Sequence, residues 1–84
     1  MYKVYVLKSE KDKNLYIGCT SNLEKRLKYH ASGNVLSTKS RLPLKLIYSE
    51  VFKDRNEAFF TERFYKTAKG KKKLLEKIKH WGIV

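Results

Sequence analysis

From Tyr2 to Leu7 the chain alternates as an extended strand does. Tyr2, Val4 and Val6 fall on one face, and Lys3, Tyr5 and Leu7 on the other. The polar run from Lys8 to Asn14 reads as a hairpin turn, and Leu15 to Cys19 as a second short strand in which Leu15 and Ile17 alternate with Tyr16 and Gly18. So short a connection leaves no room for a crossover helix, so these strands are expected to pair antiparallel. Ser21-Asn22-Leu23-Glu24 fits a capping box, opening a helix with Leu23 and Leu27 as its apolar stripe and Gly33 as its terminator. Gly33 to Pro43 is polar and aperiodic and reads as an exposed loop, with Ser37, Thr38, Lys39, Ser40 and Arg41 grouped within it.

Leu44 to Phe52 is a third strand, rich in Leu46, Ile47, Tyr48 and Val51. Asp54-Arg55-Asn56-Glu57 is a second capping box. It opens a helix expected to run to about Lys69 and stop at Gly70, with Ala58, Phe60, Phe64, Tyr65 and Ala68 as an apolar arc. A shorter basic helix from Lys71 to about His80 presents Leu74, Leu75 and Ile78, with Trp81 expected to fold back as an anchor. Strand, strand, helix, strand, helix, helix describes a small α/β domain around a three-stranded sheet.

Composition narrows the class. The 84 residues carry a formal charge of +12, from 20 Lys and Arg against 8 Asp and Glu, and 16 of the basic residues are lysine. That excess favours a polyanionic partner such as nucleic acid, an acidic protein or anionic lipid. The 42% hydrophobic and 13% aromatic content suits a globular fold rather than a disordered basic tail. One cysteine makes no internal disulfide. No apolar stretch approaches the roughly 18 residues that span a bilayer, and no signal-peptide pattern opens the chain, so a soluble protein of a reducing cytosol is expected.

Familiar sites are excluded next. The four glycines are scattered singly, which rules out a phosphate-binding glycine loop. His30, His80 and Cys19 do not form a zinc site at a usual spacing, and no Ser, His and Asp combination stands out. What remains is a polar set on otherwise apolar elements. Tyr5 and Tyr16 lie on neighbouring strands, and Arg26 and His30 are one helical turn apart. Glu62 sits at the edge of the later helix's apolar arc, with Lys66 and Lys69 beside it. Singly, each has an ordinary role in packing, solvation or an i,i+4 ion pair.

Together the set resembles the GIY-YIG nuclease superfamily. Lys3-Val4-Tyr5 is followed, 11 residues after its tyrosine, by Tyr16-Ile17-Gly18. Arg26 stands 10 residues after Tyr16, His30 follows 4 further on, and Glu62 lies in a later helix. The likeness runs from about Tyr2 to Lys73 and is to the small bacterial members, one domain over residues 1–84. It implies a three-stranded antiparallel sheet flanked by helices, and phosphodiester cleavage supported by one divalent cation, Mg²⁺ or Mn²⁺.

On that resemblance Glu62 is the metal ligand, with water and phosphate oxygens completing a shell that Mg²⁺ accepts. Tyr16 is the favoured general base toward the attacking water, and Tyr5 positions water or phosphate. A phenol with a pKa of about 10 needs a nearby cation to act as a base. Arg26 supplies that field and stabilises transition-state charge, and His30 orients a phosphate or tyrosine hydroxyl or assists proton transfer. Lys39 and Arg41 in the loop, and Lys66, Lys69, Lys71, Lys72 and Lys73, are the expected nucleic-acid contacts.

Three departures stand out. Lys3 replaces the glycine of the family name. Cys19 stands where related repair nucleases often carry lysine. No asparagine follows Asn56, so the late asparagine found in several family active sites is missing, leaving Lys66 or Lys69 to cover part of its phosphate-binding role. The expectation is a metal-dependent endonuclease acting on nucleic acid, DNA ahead of RNA, with duplex, branched, nicked or single-stranded substrates all open. Little sequence preference is expected unless a protein partner supplies it. The rival readings are a nucleic-acid-binding module on the same fold without turnover, and a protein-interaction domain on the ribosome or a repair complex.

Overall fold

A computed structural model describes residues 1–36 and 38–81. Strand β1 (Tyr2–Ser9) pairs antiparallel with both β2 (Leu15–Thr20) and β3 (Leu44–Phe52), giving the sheet order β2-β1-β3. Between them lie α1 (Leu23–Ala31) and a single 3-10 turn (Lys39–Arg41), and after β3 come α2 (Arg55–Tyr65) and α3 (Ala68–Trp81). The α/β class and the three-stranded antiparallel sheet are as expected.

β1 is central, so both of its edges are paired, and Val4 to Leu7 are buried on both of its faces. Val4 and Val6 join Tyr48, Ala58, Tyr65 and Leu74 in one core between the sheet and helices α2 and α3. Burying each large apolar side chain there is worth about 1.5–3 kcal/mol. Tyr5 and Leu7 point to the opposite face, where Tyr5 meets His30 of α1 edge-on with ring centroids 6.0 Å apart. The β1–β3 register shifts between Val6, which pairs with Tyr48, and Leu7, which pairs with Leu46. The extra residue, Ile47, forms a bulge that returns Leu46 to the face of Leu7 while Tyr48 stays in the core.

Several boundaries differ from expectation for local reasons. The cap of α1 is Asn22, whose side chain accepts from the Lys25 amide, rather than Ser21. Glu24 instead faces solvent and pairs with Lys28 at 3.7 Å. Asp54 caps α2 as expected, accepting from Asn56 N. Helix α2 ends at Tyr65 rather than near Lys69, and Gly70 lies inside the first turn of α3. A β-carbon at Gly70 would overlap the Phe64 carbonyl, so this glycine permits α3 to start tight against the end of α2. Thr67 closes the corner, its hydroxyl donating to Phe64 O at 2.7 Å and accepting from Gly70 N at 3.0 Å.

The expected apolar arcs are partly displaced. Phe60 is 72% exposed, and Ala68 and Leu75 also face solvent. Leu74 is buried and Ile78 packs against the core. The anchoring expected of Trp81 concerns a side chain outside the described residues, as does Ser37.

Behind the sheet, the Glu50 carboxylate accepts from Tyr65 at 2.6 Å, Tyr48 at 3.2 Å and Lys77 at 3.3 Å. Burial, then the negative charge of Glu50, pushes the Tyr48 phenol up to about 12. Burial and the bond to Glu50 raise Tyr65 as well. These groups fix α2 and α3 to β3 and lie on the face away from Tyr5.

Candidate active site

The site begins with the cross-strand pair of Tyr5 and Gly18. The Tyr5 ring lies directly across the Gly18 backbone, so a β-carbon there would overlap Tyr5 Cζ and Oη and stand 2.9 Å from Cε2. Glycine at this position is what allows a phenol on the central strand to reach across the edge strand.

Two side chains of α1 meet that phenol. Arg26 Nε donates to Tyr5 Oη at 3.3 Å, and His30 Nε2 lies 3.2 Å from the same oxygen. Their four-residue spacing places both on one face of the helix, a turn apart. The other imidazole nitrogen, Nδ1, lies 2.9 Å from Thr38 Oγ1. Tyr5 is 3% exposed, His30 6% and Thr38 1%, so the chain of polar groups is shielded from bulk water. Burial, and then the Arg26 charge, holds His30 below its usual 6.5, which favours the neutral ring.

Tyr16 is half-buried on β2, paired with Leu7, and the register places it on the same face as Tyr5 and Gly18. Glu62 comes from the other side of the sheet. It stands one turn after the buried Ala58 and one turn before Lys66, whose Nζ donates to its Oε2 at 2.9 Å. A cavity of about 630 Å³ wraps the outer edge of β2 and takes in all five: Tyr5, Tyr16, Arg26, His30 and Glu62 line it. The edge position of β2 is what lets groups from both faces of the sheet meet in one concavity.

The expected cations divide. Lys66 and Lys71 line the cavity. Lys69 and Lys72 are exposed on α3, and Lys73 lines a separate cavity beside Glu50 and Lys77. Lys39 is exposed on the 3-10 turn. Arg41 pairs with Asp12 of the hairpin at 3.0 Å, and its carbonyl accepts from Ser9 Oγ, so it pins the loop to the hairpin. The segment expected to be a wholly exposed loop thus contains an ordered turn and a buried threonine. The sequence groups Thr38 with loop hydroxyls and cations that could contact phosphates but gives no sign of its burial, and it does not point to Phe59, which lines the cavity with Arg55 over its ring at 5.1 Å. No period or motif marks either one.

Cys19 pairs with Val4 and faces α2, away from Tyr5. Burial, then the negative charge of Glu62, pushes its thiol up against the opposing effect of Arg55, keeping it protonated. It therefore offers Tyr5 no cation of the kind a lysine would.

Among the described residues no group of three or more His, Cys, Asp or Glu side chains is placed to hold a metal ion. A hydrated Mg²⁺ or Mn²⁺ needs less than such a cage, since one or two carboxylates with waters and substrate phosphate oxygens suffice. Glu62 meets that requirement: its side chain is only 18% exposed, it faces the cavity, and it already holds a cationic group, the Lys66 ammonium. The donor set fits a divalent cation shared with substrate.

No helix among the described residues is long and apolar enough to cross a membrane. The sequence model described as "GIY-YIG catalytic domain" matches residues 1–75. A UPF0213 protein of Bacillus licheniformis is 42% identical over 82 residues, covering 94% of this chain and 84% of that protein. One from Clostridium perfringens is 44% identical over 75 residues, covering 88% and 80%. The solution NMR structure of a UPF0213 protein from Bacillus halodurans superposes with a TM-score of 0.57 at 31% identity, covering 90% of this chain and 84% of that one. The cavity at the β2 edge and these likenesses agree: the chain belongs to the GIY-YIG family, whose catalytic domain is of nuclease type.

Proposed function

We propose that this chain is a divalent-metal-dependent endonuclease that hydrolyses phosphodiester bonds in DNA with little sequence preference. The observation that carries the reading is the convergence of two tyrosines, an arginine, a histidine and a carboxylate on one cavity, with Arg26 and His30 both bonded to the Tyr5 hydroxyl. Tyr5 takes the base role in this reading in place of Tyr16, a choice supported by the bonds of Arg26 and His30 to Tyr5; among the described residues neither bonds Tyr16.

Tyr5 is the proton acceptor. As water attacks, a new P–O bond forms and the water's proton goes to Tyr5 Oη while the phenol's own proton passes to His30 Nε2. The P–O bond to the leaving oxygen breaks, its electron pair stays on that oxygen, and solvent protonates it. Arg26 opposes the negative charge on Tyr5 through Nε and keeps its terminal N–H groups for phosphate oxygens. Tyr16 positions the water or the phosphate. Glu62 would hold Mg²⁺ or Mn²⁺, which when bound would supply polarisation of the scissile phosphate and stabilisation of the leaving oxygen.

Lys66 and Lys71 flank the cavity as phosphate contacts, and Lys39, Lys69, Lys72 and Lys73 add to the field of a chain at +12. All of these would contact the backbone, which leaves branched, nicked and single-stranded DNA open as substrates along with duplex. The test is nicking of supercoiled plasmid and cleavage of structured oligonucleotides with and without Mg²⁺ or Mn²⁺, for the wild type and Glu62→Gln. Cleavage that requires metal and is lost in the variant is expected. Salt-sensitive binding with no cleavage under either metal would replace the nuclease by a binding module.

A further inference from the structure

We propose that Thr38 is a positioning residue that locks His30 in the Nδ1–H tautomer, leaving Nε2 as a bare acceptor for the Tyr5 proton. Arg26, Tyr5, His30, Thr38 and Val35 form a row of donors and acceptors whose protons can be assigned one by one. Thr38 Oγ1 lies between His30 Nδ1 at 2.9 Å and the Val35 carbonyl at 3.4 Å. A carbonyl only accepts, so a hydroxyl proton directed there, over a long contact to an oxygen that also receives the Thr38 and Lys39 amides, leaves Oγ1 free to accept from Nδ1–H. Nε2 is then unprotonated and accepts from Tyr5 Oη, and Tyr5 Oη accepts from Arg26 Nε–H. In this direction every proton in the row has an acceptor: Arg26 to Tyr5, Tyr5 to His30, His30 to Thr38, Thr38 to Val35.

The reverse direction leaves a proton without a protein partner. If Thr38 donated to Nδ1, Nε2–H would point at Tyr5 Oη, which already receives Arg26. The phenol proton would then have no acceptor among the described residues and only water in the cavity to turn to. A doubly protonated ring leaves the same orphan and adds a charge beside Arg26, which burial opposes. Nothing in the polar composition of the Gly33–Pro43 segment distinguishes Thr38 from its neighbouring hydroxyls. What distinguishes it is burial at 1% exposure just before the 3-10 turn, which is held in place by Arg41 and Asp12.

The consequence for turnover rests on the proposed nuclease reading, but the tautomer does not. The test uses the full chain labelled with ¹⁵N, recording long-range ¹H–¹⁵N correlations of the imidazoles above pH 7, with His80 assigned by His80→Gln. In the wild type His30 is expected as the Nδ1–H form. In Thr38→Val the Nε2–H form is expected to appear, and in Thr38→Ser the Nδ1–H form to return. Cleavage should fall about 10-fold or more in Thr38→Val, the scale of a lost orienting bond to a working imidazole, and recover in Thr38→Ser. A wild-type His30 protonated at Nε2 overturns the proposal, and so does an unchanged tautomer in folded Thr38→Val. Should Thr38→Val fail to fold, the wild-type and Thr38→Ser spectra still decide between the two tautomers. The Nδ1–H form in a protein that cuts nothing supports the lock and counts against the nuclease reading alone.

Discussion

Replacing Gly18 with alanine tests the geometry of the site at one atom. Gly18 carries no positive φ, so in an ordinary strand this substitution would be neutral or mildly stabilising through the unfolded chain. Here the new β-carbon would overlap Cζ and Oη of Tyr5. The ring cannot swing freely away, because its hydroxyl is held by Arg26 at 3.3 Å and His30 at 3.2 Å, and its body is buried. Overpacking of this kind costs about 1–3 kcal/mol. For a domain of this size each kcal/mol lowers Tm by about 4–8 °C. The protein should still fold, since small domains have about 5–15 kcal/mol to lose. Catalysis should suffer more, because a displacement of about 1 Å in a reacting group costs on the order of 100-fold.

The assay is a thermal melt and a plasmid-nicking rate for Gly18→Ala, Tyr5→Val and the double variant. Removing the ring removes the obstacle, so the alanine should cost less in the Tyr5→Val background, with a coupling of at least about 1 kcal/mol. Sites that do not touch add to within about 0.3–0.5 kcal/mol. Additivity in the melts, or a Gly18→Ala protein with unchanged Tm and unchanged nicking, would refute the packing of Tyr5 over Gly18.

Further predictions follow from other contacts. Gly70→Ala should destabilise by about 3 kcal/mol or more, because the obstacle is the Phe64 carbonyl, which gives less readily than a side chain; chemical denaturation measures it. Tyr48 has a folded pKa of about 12 against an ordinary 10.0, so its contribution to stability is complete below pH 10 and is lost as pH climbs toward 12. Melts across that range should fall less steeply for Tyr48→Phe than for the wild type. His30 lies below 6.5, so its stability contribution is intact above that pH and lost as pH falls through the folded value. Since the protonated ring cannot take the Tyr5 proton, the acid limb of the cleavage profile should lie below pH 6.5 and disappear in His30→Gln, whose residual rate should be nearly flat there.

What the sequence made legible follows from local physics. β1, its hairpin and β3 are readable because alternation and turn residues act over a few positions. Spacing along a helix shows that Arg26 and His30 share a face, whereas grouping them with Tyr5, Tyr16 and Glu62 rests on the likeness to the GIY-YIG family. The rest depends on contacts between elements. Gly70 has the local signature of a helix stop, yet its position is dictated by a carbonyl of the preceding helix. Phe60 and Leu75 satisfy a helical period but face solvent, because the face that α2 and α3 turn to the core is the one carrying Ala58, Tyr65 and Leu74. Asn22 rather than Ser21 caps α1, a one-residue choice between two good caps. Which tyrosine receives Arg26 is set by how α1 lies on the sheet, and the burial of Thr38 by how the loop returns under His30.

The most direct test of the account is the metal-dependent nicking rate of Tyr5→Phe measured beside Tyr16→Phe, with both proteins shown to be folded. Tyr5→Phe removes only the oxygen that joins Arg26 to His30. Loss of a proton-transferring group costs about 100- to 10,000-fold, and the account places that loss in Tyr5→Phe, with a smaller one in Tyr16→Phe. Nicking that persists undiminished in Tyr5→Phe while Tyr16→Phe is inert would contradict it.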